Sequence, residues 1–246
     1  MKLDEKFMAT VMQACETSPS PDEMVPAILV RSCVAVLPVA GAGLSIIAEL
    51  RVPLAASDEL VVLAERLQTS LGDGPCLTAT DSGQPLVADD QTMAARWPLF
   101  HRELHRQTPF RSVASLPLQN LHQQGLGALD LYSENPDAFS SAWLQQVNLD
   151  VGDPIAAILF DNPSAAHLTG EPPTTGSIGG SGPNQAIVRN RMRIWLAVGL
   201  VMERAGLGNA DALAALRAYA FSHDATLEQV AELVTTSQLD PDRLLS

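Results

Sequence analysis

The chain has 246 residues, of which 46% are hydrophobic and 17% charged, a composition that supports a folded core and excludes disorder throughout. Its formal net charge of −13 excludes general coating of nucleic acid, because an acidic surface repels phosphates. Three cysteines exclude a disulfide framework, and the lack of a signal-peptide core or membrane-length apolar run predicts a cytoplasmic protein without membrane contact.

The N-terminal part of the chain begins with two helical patterns and then changes to strands. Residues 3–37 predict two amphipathic helices, separated by a break at 18–21 where serine and proline alternate. Residues 41–50 are an apolar strand candidate that residues 52–56 would pair with as a hairpin. A further helix is expected at 59–71.

The pattern continues to alternate between strands and helices up to residue 160. The expected elements are a strand at 85–89, a helix at 97–107, strands at 112–118 and 127–132, and a helix at 138–160. Gly152 and Pro154 should bend or restart that last helix. Helices around a central antiparallel sheet predict an α+β domain at residues 1–160.

A change in composition marks a boundary after this domain. Residues 160–185 carry four prolines and five glycines and almost no large apolar side chains. This composition is typical of a flexible linker. We therefore predict a linker at 161–185 and a second domain at 186–246.

Three helical patterns fill the second domain. The first ends at Gly206, Asn209 is suited to start the second, and Thr226 with Gln229 has the spacing of a capping box before the third. The first helix is apolar on more than one side, because Leu196 and Leu200 fall among its arginines. A helix from a partner chain or from an upstream segment should cover the rest of it. Because the N-terminal helices also carry surplus apolar surface, we predict a homodimer.

Positive charge is concentrated in this domain. Residues 184–246 hold six arginines and seven acidic residues, whereas nearly all of the net negative charge lies upstream. A local basic patch on a helix suits one specific RNA site better than nonspecific coating.

Several positions of the three helices recur together in a known pattern. They are Arg191, Ile194, Ala197, Gly199 and Met202, then Ala212, Leu216, Arg217, Tyr219 and Ala220, then Val230 and Ala231. This pattern resembles the ANTAR domain, a family of bacterial RNA-binding antiterminators. Two positions depart from the family: Val198 replaces a common lysine, and residues 222–225 replace a stretch that is often basic.

The resemblance implies that the partner is RNA, bound at hairpin loops. The residues that we expect to contact RNA are Arg189, Arg191, Arg193, Arg204, Arg217 and Tyr219, because arginines dominate phosphate recognition and tyrosine stacks on unpaired bases. We expect Arg193 and Arg217 to be exposed to solvent. The arginines can also be read as an ordinary solvated face, Arg191 as an interface residue, and Tyr219 as part of the bundle rim.

The first domain carries a second recurring set of residues. The set comprises Gln68, Gly74-Pro75-Cys76, Pro85, Asp89, Arg96-Trp97-Pro98, Ser112-Val113, Pro117-Leu118, Leu126-Gly127-Ala128-Leu129 and Leu131-Tyr132. It resembles the GAF domain, in the actinobacterial kind that precedes ANTAR domains. The resemblance implies a small-molecule ligand or dimer contacts, with Cys76, Asp89 and Trp97 as pocket candidates. The alternative reading makes Cys76 a buried structural cysteine and Trp97 a core residue.

One further pair of residues has the spacing of metal ligands. His101 and His105 lie four apart on a predicted helix, but the sequence places no third ligand, and a solvated helix face is the more common outcome. We expect no catalytic residues, no metal, no cofactor and no enzyme activity.

Together these patterns predict a ligand- or partner-regulated RNA-binding regulator of transcription antitermination that acts on a structured, two-hairpin RNA. The alternative is a dimerising signalling or interaction protein whose RNA binding has weakened, since Val198 and residues 222–225 remove positive charge.

Overall fold

The computed structural model describes residues 1–17, 25–47, 51–120, 122, 124–161, 183–223 and 225–245, with side chains described from residue 192 onward in the C-terminal part. Its centre is a five-stranded sheet in the order β2-β1-β5-β4-β3. The strands are β1 (Gly41–Ile47), β2 (Arg51–Ala56), β3 (Leu86–Ala88), β4 (Ser112–Gln119) and β5 (Gly125–Ser133). All neighbouring strands are antiparallel, which confirms the predicted sheet and the β1–β2 hairpin.

Helices cover both faces of this sheet. In chain order they are α1 (Leu3–Thr17), α2 (Val25–Val36), α3 (Glu59–Leu71), α4 (Pro75–Ser82), α5 (Asp90–Arg96), α6 (Pro98–Gln107), α7 (Ser141–Val147) and α8 (Asp153–Ala156). Wide π-helical turns, Asn148–Gly152 and Ala157–Asp161, flank α8, so the predicted helix at 138–160 does restart near Gly152.

Two of these helices were not predicted from the sequence. α4 has eight residues and α5 has seven, too few for an amphipathic period to show. Their end signals were nevertheless present. Pro75 occupies the first turn of α4, and the side chain of Asp89 caps α5 by accepting a hydrogen bond from the Thr92 amide at 2.7 Å.

The alternation of side chains in β5 separates two environments. Leu129 and Leu131 face a large apolar core formed with α1, α2, α7 and α8. Asp130 and Tyr132 face the other side, beneath α3, where apolar residues of α5 and α6 form a second core around Tyr132. The sheet therefore has one mainly apolar face and one face with buried charged groups.

The C-terminal region is a three-helix bundle, formed by α9 (Pro183–Ala205), α10 (Asn209–Ser222) and α11 (Leu227–Thr235) and followed by a 3₁₀ turn, Pro241–Leu245. The predicted capping box at Thr226 and Gln229 is present at the start of α11. α9 begins inside the range predicted as linker, and residues 162–182 of that range lie outside the described residues.

This bundle packs against the N-terminal domain. Val52 of the edge strand β2 is buried within the apolar core of the bundle, beside Val198 and Leu216. The coverage protects a sheet edge that would otherwise expose unpaired backbone groups.

Helix α3 makes polar contacts with the bundle. We call this set of contacts the docking face, and it consists of Arg66, Thr69 and Ser70 of α3 against Arg217, Leu227 and Glu228. The Leu227 amide donates to Ser70 Oγ at 3.2 Å, and Arg217 Nε donates to the Thr69 carbonyl at 3.3 Å.

None of the helices in these described ranges combines the length and apolar character that a membrane crossing requires.

Candidate functional site

A group of buried polar side chains lies between the sheet and α3, and we call it the Arg51 cluster. Its members are Arg51 from β2, Glu65, Gln68 and Thr69 from α3, Cys76 from α4, Ser115 from β4, and Asp130 and Tyr132 from β5. Spacings of three and four residues put the α3 members on one helix face, and alternation puts the β5 members on one sheet face. Each of these residues is at most 2% exposed.

Arg51 uses every nitrogen of its guanidinium. Nη2 lies 2.7 Å from Glu65 Oε2 and 3.3 Å from Asp130 Oδ2. Nη1 donates to the Glu65 carbonyl and to Thr69 Oγ1, both at 2.9 Å, and Nε donates to Cys76 Sγ at 2.8 Å. A buried guanidinium is tolerated only when its donors are satisfied in this way.

Gln68 and Tyr132 complete the hydrogen bonding of the two carboxylates. Gln68 Nε2 donates to Asp130 Oδ2 at 2.8 Å and to the Tyr132 hydroxyl oxygen at 3.2 Å, while its Oε1 accepts from the Cys76 amide at 3.0 Å. The Tyr132 hydroxyl donates to Glu65 Oε1 at 2.7 Å, and Ser115 Oγ donates to Asp130 Oδ1. The network therefore joins three strands and two helices.

The cluster holds one guanidinium against two carboxylates, so one negative charge is uncompensated when both carboxylates are ionised. Burial and the adjacent Glu65 carboxylate raise the pKa of Asp130 to about 7. Burial likewise raises the pKa of the Tyr132 hydroxyl well above its ordinary value. The cluster can therefore take up or release a proton near neutral pH, at Asp130.

Glycine makes room for the cluster in β1. A Cβ placed on Gly43 would overlap the carboxylate of Glu65. The strand accepts the Glu65 side chain at this point because residue 43 has none of its own.

The three predicted pocket residues have separate structural roles. Cys76 is fully buried, and burial raises the pKa of its thiol well above the ordinary value, so it is a poor nucleophile and a structural member of the cluster. Asp89 is the cap of α5, and Trp97 is 3% exposed within the core that α5 and α6 form. The alternative readings of Cys76 and Trp97 are the ones that the structure supports.

The predicted RNA-contacting residues of the bundle are in part exposed. Arg193 lies 3.4 Å from Glu232, and Arg204, with 63% of its side chain exposed, lies 3.7 Å from Asp242. Tyr219 stacks on His223 with ring centroids 3.8 Å apart. Arg189 and Arg191 belong to α9, but their side chains lie outside the described residues.

Arg217 corrects the expectation that this arginine is freely exposed. Its guanidinium is half-buried against α3, it donates to the Thr69 carbonyl, and burial lowers its pKa. It also lies over Gly72, whose backbone has φ +64° as the cap of α3 and where a Cβ would come within 2.6 Å of Arg217 Nη1. In this arrangement Arg217 is a docking residue.

Val198 is 2% exposed in the bundle core, an environment in which an ionised lysine would be costly. Gly199, the next residue, is exposed to solvent. No atom lies within 4 Å of a Cβ placed on it, so it does not mediate a close helix contact within the described chain.

The sequence alone does not identify Arg51, Glu65 and Asp130 as site residues. A signal did exist for Asp130, the single charge in the apolar run at 126–132, which is a costly position for a residue without a partner. Sequence spacing did not show that the three would meet, because they lie on three separate elements.

Comparison with known proteins finds several solved structures that resemble this chain at low sequence identity. They include the GAF domain of a phosphoenolpyruvate-protein phosphotransferase from Coxiella burnetii (16% identity, 63% of this chain and 90% of that chain covered, TM-score 0.46). The corresponding Acinetobacter domain is another (11%, 64% and 93%, 0.44), as is a type II free methionine-R-sulfoxide reductase from Thermoplasma acidophilum (16%, 64% and 94%, 0.37). No curated protein matches the chain.

The family comparison covers the same region. Residues 19–159 match the GAF domain family, a stretch that contains the whole five-stranded sheet and the Arg51 cluster. Because the match extends over more than half of its length, the chain belongs to the GAF domain family.

Proposed function

We propose that this protein is a regulator in which the GAF domain senses a small molecule or partner and controls RNA binding by an ANTAR-like C-terminal bundle. The RNA is structured, with two hairpins, and the outcome is transcription antitermination. The observation that carries the proposal is Thr69, which contacts the Arg51 cluster with its side chain and the bundle with its backbone.

Thr69 contacts both the cluster and the bundle. Its Oγ1 accepts from Arg51 at 2.9 Å, and its carbonyl accepts from Arg217 at 3.3 Å. Arg51 is also connected to the bundle through the next residue of β2, because Val52 is part of the bundle core. A ligand or partner that displaces α3 or β2 would therefore act on the bundle, which rests on both elements.

The exposed arginines of α9 supply the RNA-binding surface in this proposal. The ion pairs of Arg193 and Arg204 are long and partly solvated, and such pairs contribute little. A phosphate can therefore replace the carboxylate partner at small cost. Arg217 differs from these two arginines because its guanidinium is bound to α3. It can contact RNA only after the bundle separates from α3. The docked form would therefore bind RNA more weakly than the separated form.

The test is a gel shift with a two-hairpin leader RNA across a salt series, using the full chain. Arg193→Ala combined with Arg204→Ala should weaken binding and lower the salt slope by about two, roughly one for each lost phosphate contact. Arg102→Ala is the matched control, because Arg102 is an exposed arginine of α6 in the GAF domain. Equal affinity and equal salt slope in both proteins would reject the RNA-binding proposal.

A specific observation favours the second candidate, a dimerising signalling protein with weakened RNA binding. Leu196 is 61% exposed on α9, and Leu200 lies one turn further on the same face, 41% exposed. Neighbouring apolar side chains on one helix face suit a homodimer contact.

Light scattering of the full chain, combined with the gel shift, separates the two candidates. Leu196→Glu should convert a dimer to a monomer, whereas Leu149→Glu should not, although Leu149 is equally exposed at 61% on a different element. A dimer without RNA binding supports the second candidate, and a monomeric wild-type protein rejects the dimer.

A further inference from the structure

The corner between α5 and α6 brings together three side chains that the sequence did not connect. Trp97 ends α5 and Pro98 begins α6, so the second helix turns back along the first. His101 and His105 lie one turn apart on α6, and Asp90 is the first residue of α5. The fold therefore supplies the third ligand that sequence spacing alone did not place.

The donor atoms of these residues converge on one point. His101 Nε2 lies 3.0 Å from Asp90 Oδ1, and His105 Nε2 lies 2.7 Å from the same oxygen. All three donors lie within 4.8 Å of one another, and the imidazole rings are 4.1 Å apart. Ligands held about 2.0–2.1 Å from a zinc ion are separated by roughly 2.9–3.4 Å, so small side-chain movements would open the centre for an ion.

We propose that Asp90, His101 and His105 form a binding site for a divalent transition-metal ion of the zinc class. Two imidazoles and one carboxylate are borderline ligands that suit zinc better than calcium or magnesium, which prefer oxygen. The three side chains leave the remaining coordination positions to water, since Asp90 is 46% exposed towards solvent. This site is independent of RNA binding.

His105 is the best prepared of the ligands. Its Nε2 atom is buried and lacks a hydrogen bond of acceptable geometry, although Asp90 is close. A metal ion would satisfy this buried nitrogen, which faces the Asp90 carboxylate and the imidazole of His101.

The other charged groups near this corner are already engaged. Asp89 accepts from the Thr92 amide, Glu103 binds Arg106 at 2.7 Å, and Arg111 Nη1 donates to the Phe110 carbonyl at 2.7 Å. Arg111 opposes a bound cation at a distance, and the overall charge of −13 favours it. The proposed site therefore consists of Asp90, His101 and His105 alone.

Packing holds the two helices in place beneath the ligands. Met93, Phe100 and Leu104 are at most 1% exposed and belong to the core around Tyr132. Anchors of this kind preorganise a site built on short helices. A bound ion would in turn fasten α5 to α6, which together cover the core beside the Arg51 cluster.

The test is calorimetric titration of the full, chelator-treated chain with zinc chloride, followed by cobalt(II) absorption spectroscopy. The wild-type protein should bind one equivalent at this site, and Asp90→Asn, His101→Gln and His105→Gln should each weaken that binding by about tenfold or more. The cobalt d–d bands should disappear in the same variants. A protein with both His122→Gln and Cys15→Ser is the matched control, because these exposed residues are alternative metal ligands elsewhere.

Thermal melting distinguishes loss of the site from loss of the fold. Zinc should raise the Tm of the wild type and the control but not that of Asp90→Asn, which keeps the size and shape of the carboxyl side chain. Zinc binding of unchanged stoichiometry and affinity in Asp90→Asn and His105→Gln would overturn the proposal. It would also be overturned if Asp90, His101 and His105 served only as a hydrogen-bonded triad, for which the wild type would show no saturable site.

Discussion

The Arg51 cluster and the docking face each centre on an arginine that donates to α3, yet they differ in how completely their polar groups are satisfied. Arg51 makes its five contacts at 2.7–3.3 Å in a fully buried setting. The docking face has contacts of 3.2 and 3.3 Å and an ion pair of Arg66 with Glu228 at 3.9 Å. Glu228 also leaves Oε2 buried without a hydrogen bond.

This difference indicates that the two sets of contacts made by α3 have different roles. A fully satisfied buried network resists rearrangement, because breaking one bond leaves other charges without partners. A face with long contacts and an unsatisfied carboxylate separates at much lower cost. The cluster therefore belongs to the fold, whereas the docking face has the energetics of a contact that can open.

The largest expected effect is that of Arg51→Met. The substitution leaves Glu65 and Asp130 buried without their cation, and it should destabilise the protein by about 3–5 kcal/mol in urea unfolding. Arg102→Met is the control, because this side chain is 64% exposed and its loss should cost little. Similar unfolding curves for the two variants would remove the distinction between cluster and surface.

Asp130→Asn tests the surplus charge of the cluster. The folded-state pKa of Asp130, about 7, lies above its unfolded value, so the stability that this carboxyl contributes is fully present near pH 4 and is lost as the pH rises to 7. The asparagine variant lacks this loss. Relative to wild type it should therefore gain stability between pH 5 and pH 7, by about 1.4 kcal/mol per pH unit at most.

Urea unfolding of both proteins at pH 5 and pH 7 measures this gain. Ser115→Ala is the companion variant, since it removes a hydrogen bond to Asp130 but keeps the titrating group. A stability difference between wild type and Asp130→Asn that is equal at both pH values would contradict the assignment.

Arg217→Met should have a smaller effect on stability, about 1 kcal/mol, because it removes one long hydrogen bond from a half-buried side chain. It should nevertheless loosen the docking face. We expect faster amide exchange in α10 and α11 with little change in the GAF domain. Arg193→Met is the control on the same bundle. If Arg217→Met lost as much stability as Arg51→Met, the docking face would be part of the core.

The smallest effect is expected for Glu228→Gln. Burial raises the pKa of Glu228, so docking is favoured when this carboxyl is protonated and weakens as the pH rises through the raised value. Glutamine removes this dependence and should strengthen docking at neutral pH by less than about 1 kcal/mol. Amide exchange of α11 measures the change, and Glu232→Gln is the exposed control. Equal pH profiles of exchange for wild type and Glu228→Gln would contradict the expected role of Glu228 in docking.

Most of the fold was accessible from the sequence, because its signals are local. The strands show apolar runs or alternation, and the capping box of Thr226 and Gln229 marks a helix start without tertiary information. α4 and α5 were missed because seven or eight residues do not show a period. The residues that cap α5, Asp89 and Trp97, were interpreted as pocket candidates instead.

The sites were much less accessible. Arg51 and Asp130 are 79 positions apart and meet only because β2, β1 and β5 are neighbours in the sheet. Asp90 joins His101 and His105 only because the chain turns back at Trp97. Arg217 looked like an exposed basic residue, since nothing in the sequence indicates that α10 would lie against α3.

The sequence by itself determined the longer helices and the strands, the GAF family of the N-terminal domain and the uneven distribution of charge, since each of these depends on neighbouring residues or on composition. Tertiary structure alone decided which polar groups share a buried environment. The physical reason is that burial and pairing energies depend on distance in space: Glu65 is stable beneath the sheet only with Arg51 2.7 Å away, and Arg217 changes from a solvated charge to a docking contact when α3 covers it.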